Sequence, residues 1–189
     1  MSHSQSARGR YDQSPPESKL LSRPLEFLSE DHLRARQVCV LITSMISDTG
    51  CDRQGASQVL RFLNEEWNVH FSDETEDLFP MLVQRCDDED SIEAAIARIR
   101  IDQDQASLLV PAIRQILTRY LDAGSAPTQH EQQTLNRFAT HLRRHIAAEN
   151  AILLPIAHAR LTQADLRTLS KHMRSRRGLP VLPETTIVE

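Results

Sequence analysis

The chain has 189 residues, enough to bury a sizeable core in one domain. Its formal net charge of −4 and pI near 6.1 argue against nucleic acid or an anionic membrane as the main partner. A mean hydropathy of −0.42, with no apolar run approaching ~18 residues, excludes a membrane-spanning helix.

Residues 1–22 are rich in Ser, Gln, Pro and charge and contain no apolar segment. They read as a disordered arm and not as a secretory signal. Residues 23–178 read as one helical domain, and 179–189, beyond Gly178 and containing two prolines, as a loose tail. Cys39, Cys51 and Cys86 are odd in number and lack C-x-x-C spacing, which points to small, partly buried thiols in a reducing, cytoplasmic compartment. The five glycines form no phosphate-binding loop and no nucleophile elbow, so nucleotide and α/β-hydrolase chemistry have no foothold.

Apolar residues recur at three- and four-residue spacing, and strand-like alternation is missing, so the fold class is all-α. A first helix is expected from Pro24 to Ser47, where the "SDTGCDRQGAS" stretch breaks it. A second runs from Ser57 to Cys86 through Leu60, Leu63, Trp67, Phe71, Leu78 and Leu82. Asp90 or Ser91 is placed to cap a third, from Ile92 to Leu121, with Pro111 as a kink. "DAGSAPT" is a loop, a fourth helix spans Thr128 to Ala159, and a short fifth helix is capped by Thr162. Long amphipathic helices on short connections predict an antiparallel up-down-up-down four-helix bundle with that short fifth helix appended. The basic cluster Arg174, Arg176 and Arg177 reads as a solvated helix end, with docking of a protein partner as the alternative.

Two stretches carry the same spacing. "HFSDETEDLFP" begins at His70 and "HIAAENAILLP" at His145; each has a Glu four residues after the His and a Pro six residues after that Glu. Residues i and i+4 share a helical face, roughly 5–6 Å apart at Cβ. His70 with Glu74, and His145 with Glu149, can each present an imidazole nitrogen and a carboxylate oxygen to one point. A single such pair is a commonplace surface contact, but two copies with matched prolines suggest a duplicated hairpin facing one cavity. His32 leads the core stripe of the first helix and would join them. These groups are costly in an apolar bundle unless a cation neutralises them, and mixed N/O ligation suits iron or manganese better than zinc. Among the other histidines, His141, one turn before His145, is the reserve ligand.

At these residues, with "EDHLRARQ" around His32, the chain resembles the hemerythrin-like, or HHE cation-binding, domain family over about Leu25 to Arg177. The resemblance implies a four-helix bundle with a non-haem diiron centre. Its implied ligands are His32, His70, Glu74, His145 and Glu149, with both carboxylates bridging. The family expects a further histidine early in the third helix, where matching the two hairpins places Gln105, and no histidine occurs between His70 and His130. An amide oxygen is a weaker donor, so the resemblance leaves two irons, one, or none open; Asp102 and Asp104 read as solvent carboxylates. The implied function is binding or sensing of dioxygen, nitric oxide or redox state. The alternatives are a diiron enzyme of peroxide or nitric oxide stress or iron–sulfur repair, and a metal-poor helical interaction protein.

Overall fold

The structure, a computed structural model, describes residues 18–47 and 53–180. Among them there is no strand, and every long element is helical. A 3-10 turn, Ser18–Ser22, leads into α1 (Pro24–Ile46), with Pro24 in the first turn, where its missing N–H costs nothing. The helices α2 (Arg53–Glu65), α3 (Trp67–Ser72) and α4 (Phe79–Arg85) follow one another as one rod. A π turn, Asp73–Leu78, joins α3 to α4, and the backbone stays right-handed helical through it. The long α5 (Ile92–Ala123) comes next, then a rod made of α6 (Gln129–Ala148), a π turn (Glu149–Leu153) and α7 (Leu154–Arg160), and last α8 (Gln163–Arg176). α1 packs on α2 and α6, and α5 packs on the same two.

The expected helices are present, with informative differences at their ends. Residues 53–56, expected within a loop, are helical, and Ala56 is buried in the core. Neither Asp90 nor Ser91 caps α5 through its side chain; Ser91 takes a left-handed backbone (φ 50°). Asp90 instead closes a capping box with Asp87 around the 3-10 turn Asp88–Asp90. Thr162 caps α8 as expected, accepting from the Asp165 N–H at 3.2 Å. α5 ends on Gly124, whose positive φ (67°) lets its N–H reach the Tyr120 carbonyl at 3.0 Å. The residues expected as a disordered arm lie outside the described ones up to 17. Ser18–Ser22 depart from that expectation, because Leu21 is fully buried and draws the turn onto α1 and α8. Leu179 and Pro180 are also held, through the Arg174 carbonyl and the Arg174 Nε.

The prolines of the two matched motifs receive a physical explanation. A proline in a continuous α-helix clashes with the carbonyl four residues back and leaves it without a donor. Each is accommodated as the second residue of a new helical segment that starts just after a π turn. There the bonds run five residues back, Phe79 N–H to the Glu74 carbonyl and Leu154 N–H to the Glu149 carbonyl. The prolines therefore mark a widened turn that contains each glutamate.

The apolar core falls into two clusters. One holds Val38, Ile42, Leu63, Trp67, Ile113, Leu117, Phe138 and Leu142. The other holds Leu25, Leu28, Leu78, Leu82, Ile96, Ile99, Leu153 and Met173. Between them, on each rod, stands a buried polar residue: His32, Glu74, Gln103 and Glu149. The order of the two clusters along the chain reverses from each rod to the next. A polar layer thus divides the core.

At the far end, Thr128 and Glu131 form a capping box, and Arg119 grips Glu131 with two bonds of 2.7 Å. Arg119, with the Thr128 N–H, holds the Glu131 carboxyl down from its ordinary 4.5 to about 2. A depressed carboxylate contributes stability above pH 4.5, and loses it as the pH falls from there toward 2. The urea midpoint of Glu131→Gln is therefore expected to fall less than that of the wild type between pH 5 and pH 3. An equal fall would show that the pair contributes nothing measurable.

Candidate metal centre

The polar layer is built where helical faces meet. The His70 Nε2 lies 2.9 Å from Glu74 Oε1, the four-residue pairing expected on one face. The His145 Nε2 lies 3.1 Å from Glu149 Oε2, the same relation on the fourth rod. The His32 Nε2 reaches both carboxylates, 3.1 Å from Glu149 Oε2 and 3.7 Å from Glu74 Oε1. His145 Nε2 also stands 3.6 Å from Glu74 Oε2. All five predicted side chains are thus brought together and buried. One donor atom from each of His32, His70, Glu74 and Glu149 lies within 4.8 Å of the others. His145 adjoins this group from the side of Glu74 Oε2.

The atoms that face one another have no hydrogen-bond partners. His32 Nε2, His70 Nε2, His145 Nε2, Glu74 Oε1 and both Glu149 oxygens are buried and unsatisfied. Each orphan costs on the order of 1–3 kcal/mol, more for a charged group. Burial alone would discharge the imidazoles, yet the facing carboxylates prevail. They raise His32 to about 9 and His145 to about 10 despite desolvation. His70 goes up as well, against its burial, through Glu74 and Asp31. Burial by itself would raise Glu74, but the three imidazoles, led by His70, hold its carboxyl well below the usual range. Two carboxylates and three imidazoles suit a cation: the carboxylates cancel a double positive charge while the imidazoles add neutral donors.

Several groups that fix this centre have no motif in the sequence. His32 Nδ1 donates to Asn150 Oδ1 at 2.9 Å, which fixes the ring with Nε2 facing inward. Asp31 stands 3.5 Å from His70 Nδ1 and is bridged by Arg34, which also meets Glu66. Phe71 packs its ring against both His70 and His145, with centroids 5.4 and 5.2 Å apart, and closes the layer on one side.

Gln105 is exposed and does not reach the centre. The buried residue of α5 at this level is Gln103, whose Nε2 donates to Glu74 Oε2 at 3.5 Å. The physical reason is helical register: Ile99, Gln103, Ala106, Val110 and Ile113 form one buried stripe. Asp104 is exposed as expected, but Asp102 is not a solvent carboxylate. It is buried, well inside the helix, and bound by His141 Nδ1 at 2.8 Å and Arg144 Nε at 3.3 Å. His141 is thereby turned to Asp102 instead of the centre.

The basic cluster near the end of α8 is not a free solvated helix end, because the protein's own groups engage it. Arg174 is buried and donates to the Ser18 and Pro180 carbonyls. Arg176 binds Asp73 at 2.9 Å, Glu76 at 3.0 Å and Asp77 at 2.5 Å. Arg177 meets Asp73 at 2.7 Å and lies over the Phe27 ring. His172 completes the set with Asp77 at 2.6 Å. α8 is a latch on the π turn that carries Glu74.

Fold and site together define an all-helical bundle protein enclosing a buried histidine–carboxylate group that fits a metal cation. The family model described as the hemerythrin HHE cation binding domain matches residues 23–157. The chain belongs to that family. No curated protein matches it.

Proposed function

We propose that this protein is a non-haem iron protein whose buried centre binds a diatomic ligand, dioxygen or nitric oxide, for binding or sensing. The observation that carries the reading is the set of unpartnered donor atoms from three imidazoles and two carboxylates in one buried layer. His32, His70, Glu74, His145 and Glu149 would hold the metal. Their mixed N/O character favours iron, then manganese, over zinc. Reduced iron with an open coordination position supplies reversible binding of small diatomic molecules. The chain's own residues orient and shield it. Asn150 fixes the His32 ring, Glu74 offers one oxygen to His32 and His70 and the other to His145, and Phe71 keeps water from the imidazoles. The alternation of the two apolar clusters along successive rods supports an up-down-up-down four-helix arrangement around this layer. No helix among the described residues is long and apolar enough to cross a membrane. The free thiols of Cys39 and Cys86 favour a cytoplasmic setting.

The test is a visible spectrum of anaerobically prepared, iron-loaded protein before and after exposure to air. The expected result is charge-transfer absorption that develops with dioxygen and reverses on its removal. Irreversible bleaching with release of iron would contradict reversible binding, and turnover of peroxide or nitric oxide would favour an enzyme.

A further inference from the structure

Resting on the metal-centre reading above, with the two bridging carboxylates that the resemblance implies, we infer that the layer offers two unequal metal positions: a strong one at His32, His70, Glu74 and Glu149, and a weak one at His145, where the α5 residue at hand is Gln103. The asymmetry lies in the two oxygens of Glu74. Its Oε1 faces His70 Nε2 at 2.9 Å and His32 Nε2 at 3.7 Å, two imidazoles. Its Oε2 faces His145 Nε2 at 3.6 Å and the Gln103 amide at 3.5 Å, one imidazole and one carboxamide.

Glu149 does not redress the balance, because its Oε2 lies 3.1 Å from both His32 and His145. The first side therefore offers two imidazoles and two carboxylates, and these four residues gather their donor atoms within 4.8 Å of one another. The state of the individual atoms points the same way. Of the two Glu74 oxygens, Oε1 is buried and unpartnered, whereas Oε2 is engaged by Gln103. The Gln103 amide nitrogen has no lone pair to give a metal. Turned over, the amide would offer a neutral oxygen, but its hydrogen bond to Glu74 would be lost. Either way the second position lacks one strong donor. Loss of a supporting partner one shell further out already costs about 10- to 100-fold in metal affinity, so the second position should be weaker by at least that much.

The consequence is sequential loading: the first metal is retained, and the second is held only while free metal is in excess. The experiment titrates the full-length metal-free protein with Fe2+ under anaerobic conditions, then measures iron per chain before and after passage through a desalting column. One iron per chain retained after desalting, with a second bound only at equilibrium in excess Fe2+, is expected. Gln103→His should raise the retained value to two, whereas Gln105→His, at an exposed position, should leave it at one. Two irons retained by the wild type, or a single-phase titration to two, would overturn the asymmetry while leaving the metal reading intact. No iron bound at any excess would overturn both. The wild-type titration decides the matter even if Gln103→His fails to fold.

Discussion

Replacing Glu74 with Ala is expected to strip the protein of metal, bringing iron per chain after desalting close to background. Glu74 is the one residue whose two oxygens address different sides of the centre, so its loss weakens both positions at once. Removal of a carboxylate donor should cost more than the about 10- to 100-fold that outer partners contribute. His141→Ala provides the comparison. His141 is bonded to Asp102, and its removal should leave bound metal close to the wild-type value. Elemental analysis of both variants after the same loading protocol makes the distinction. Equal metal loss in the two would show that the ligand set is misassigned.

Asp73→Ala should cost far more stability than the loss of an exposed partner of the same arginine cluster. Asp73 is fully buried, its carboxyl is pushed up by burial, and the two guanidinium groups of Arg177 and Arg176 counter that push. Removing it takes from Arg177 the carboxylate it meets and leaves Arg176 to Asp77 and Glu76, in a setting where breaking a buried pair costs about 3–5 kcal/mol. Glu76 holds the same Arg176 from the surface, at 61% side-chain exposure, and Glu76→Ala should cost little. Urea unfolding of the metal-free proteins measures both values without contribution from bound metal. A small Asp73→Ala effect, equal to that of Glu76→Ala, would mean that the α8 latch is dispensable. Because Asp73 immediately precedes Glu74, the latch also ties the C-terminal helix to the position of a central donor.

Much of this arrangement was legible in the sequence. Four of the inner side chains announce themselves because His and Glu four apart must share a helical face, and because the motif occurs twice with its proline; His32 follows from its place on the core stripe of the first helix. The helices were legible from apolar spacing, and the Thr162 cap from its Asp three residues on. Gln103 is not legible from the likeness of the two hairpins, which is faint at the third helix; it is legible only from helical register. The stripe through Ile99, Ala106, Val110 and Ile113 was there to be read, and it puts Gln103 inward and Gln105 outward. The prolines were visible, but the π turns were not, since they depend on which carbonyl each N–H selects once the proline has excluded one. Asp87 and Asp90 have capping-box spacing, yet the box closes a 3-10 turn before α5 and does not cap the helix itself. The roles of Arg176 and Arg177 could not be read at all. Their partners, Asp73 and Asp77, are distant in sequence, and only the packing of α8 against the π turn brings them together.

The central claim is that a metal sits in the layer between the two apolar clusters, held by imidazoles and carboxylates from different rods. Anomalous X-ray scattering at the iron edge, from crystals of the iron-loaded protein, tests it most directly. The expected result is an anomalous peak surrounded by His32, His70, Glu74 and Glu149, with a weaker peak beside His145 when iron is in excess. Absence of any peak in that layer, or a peak confined to surface carboxylates, would contradict it.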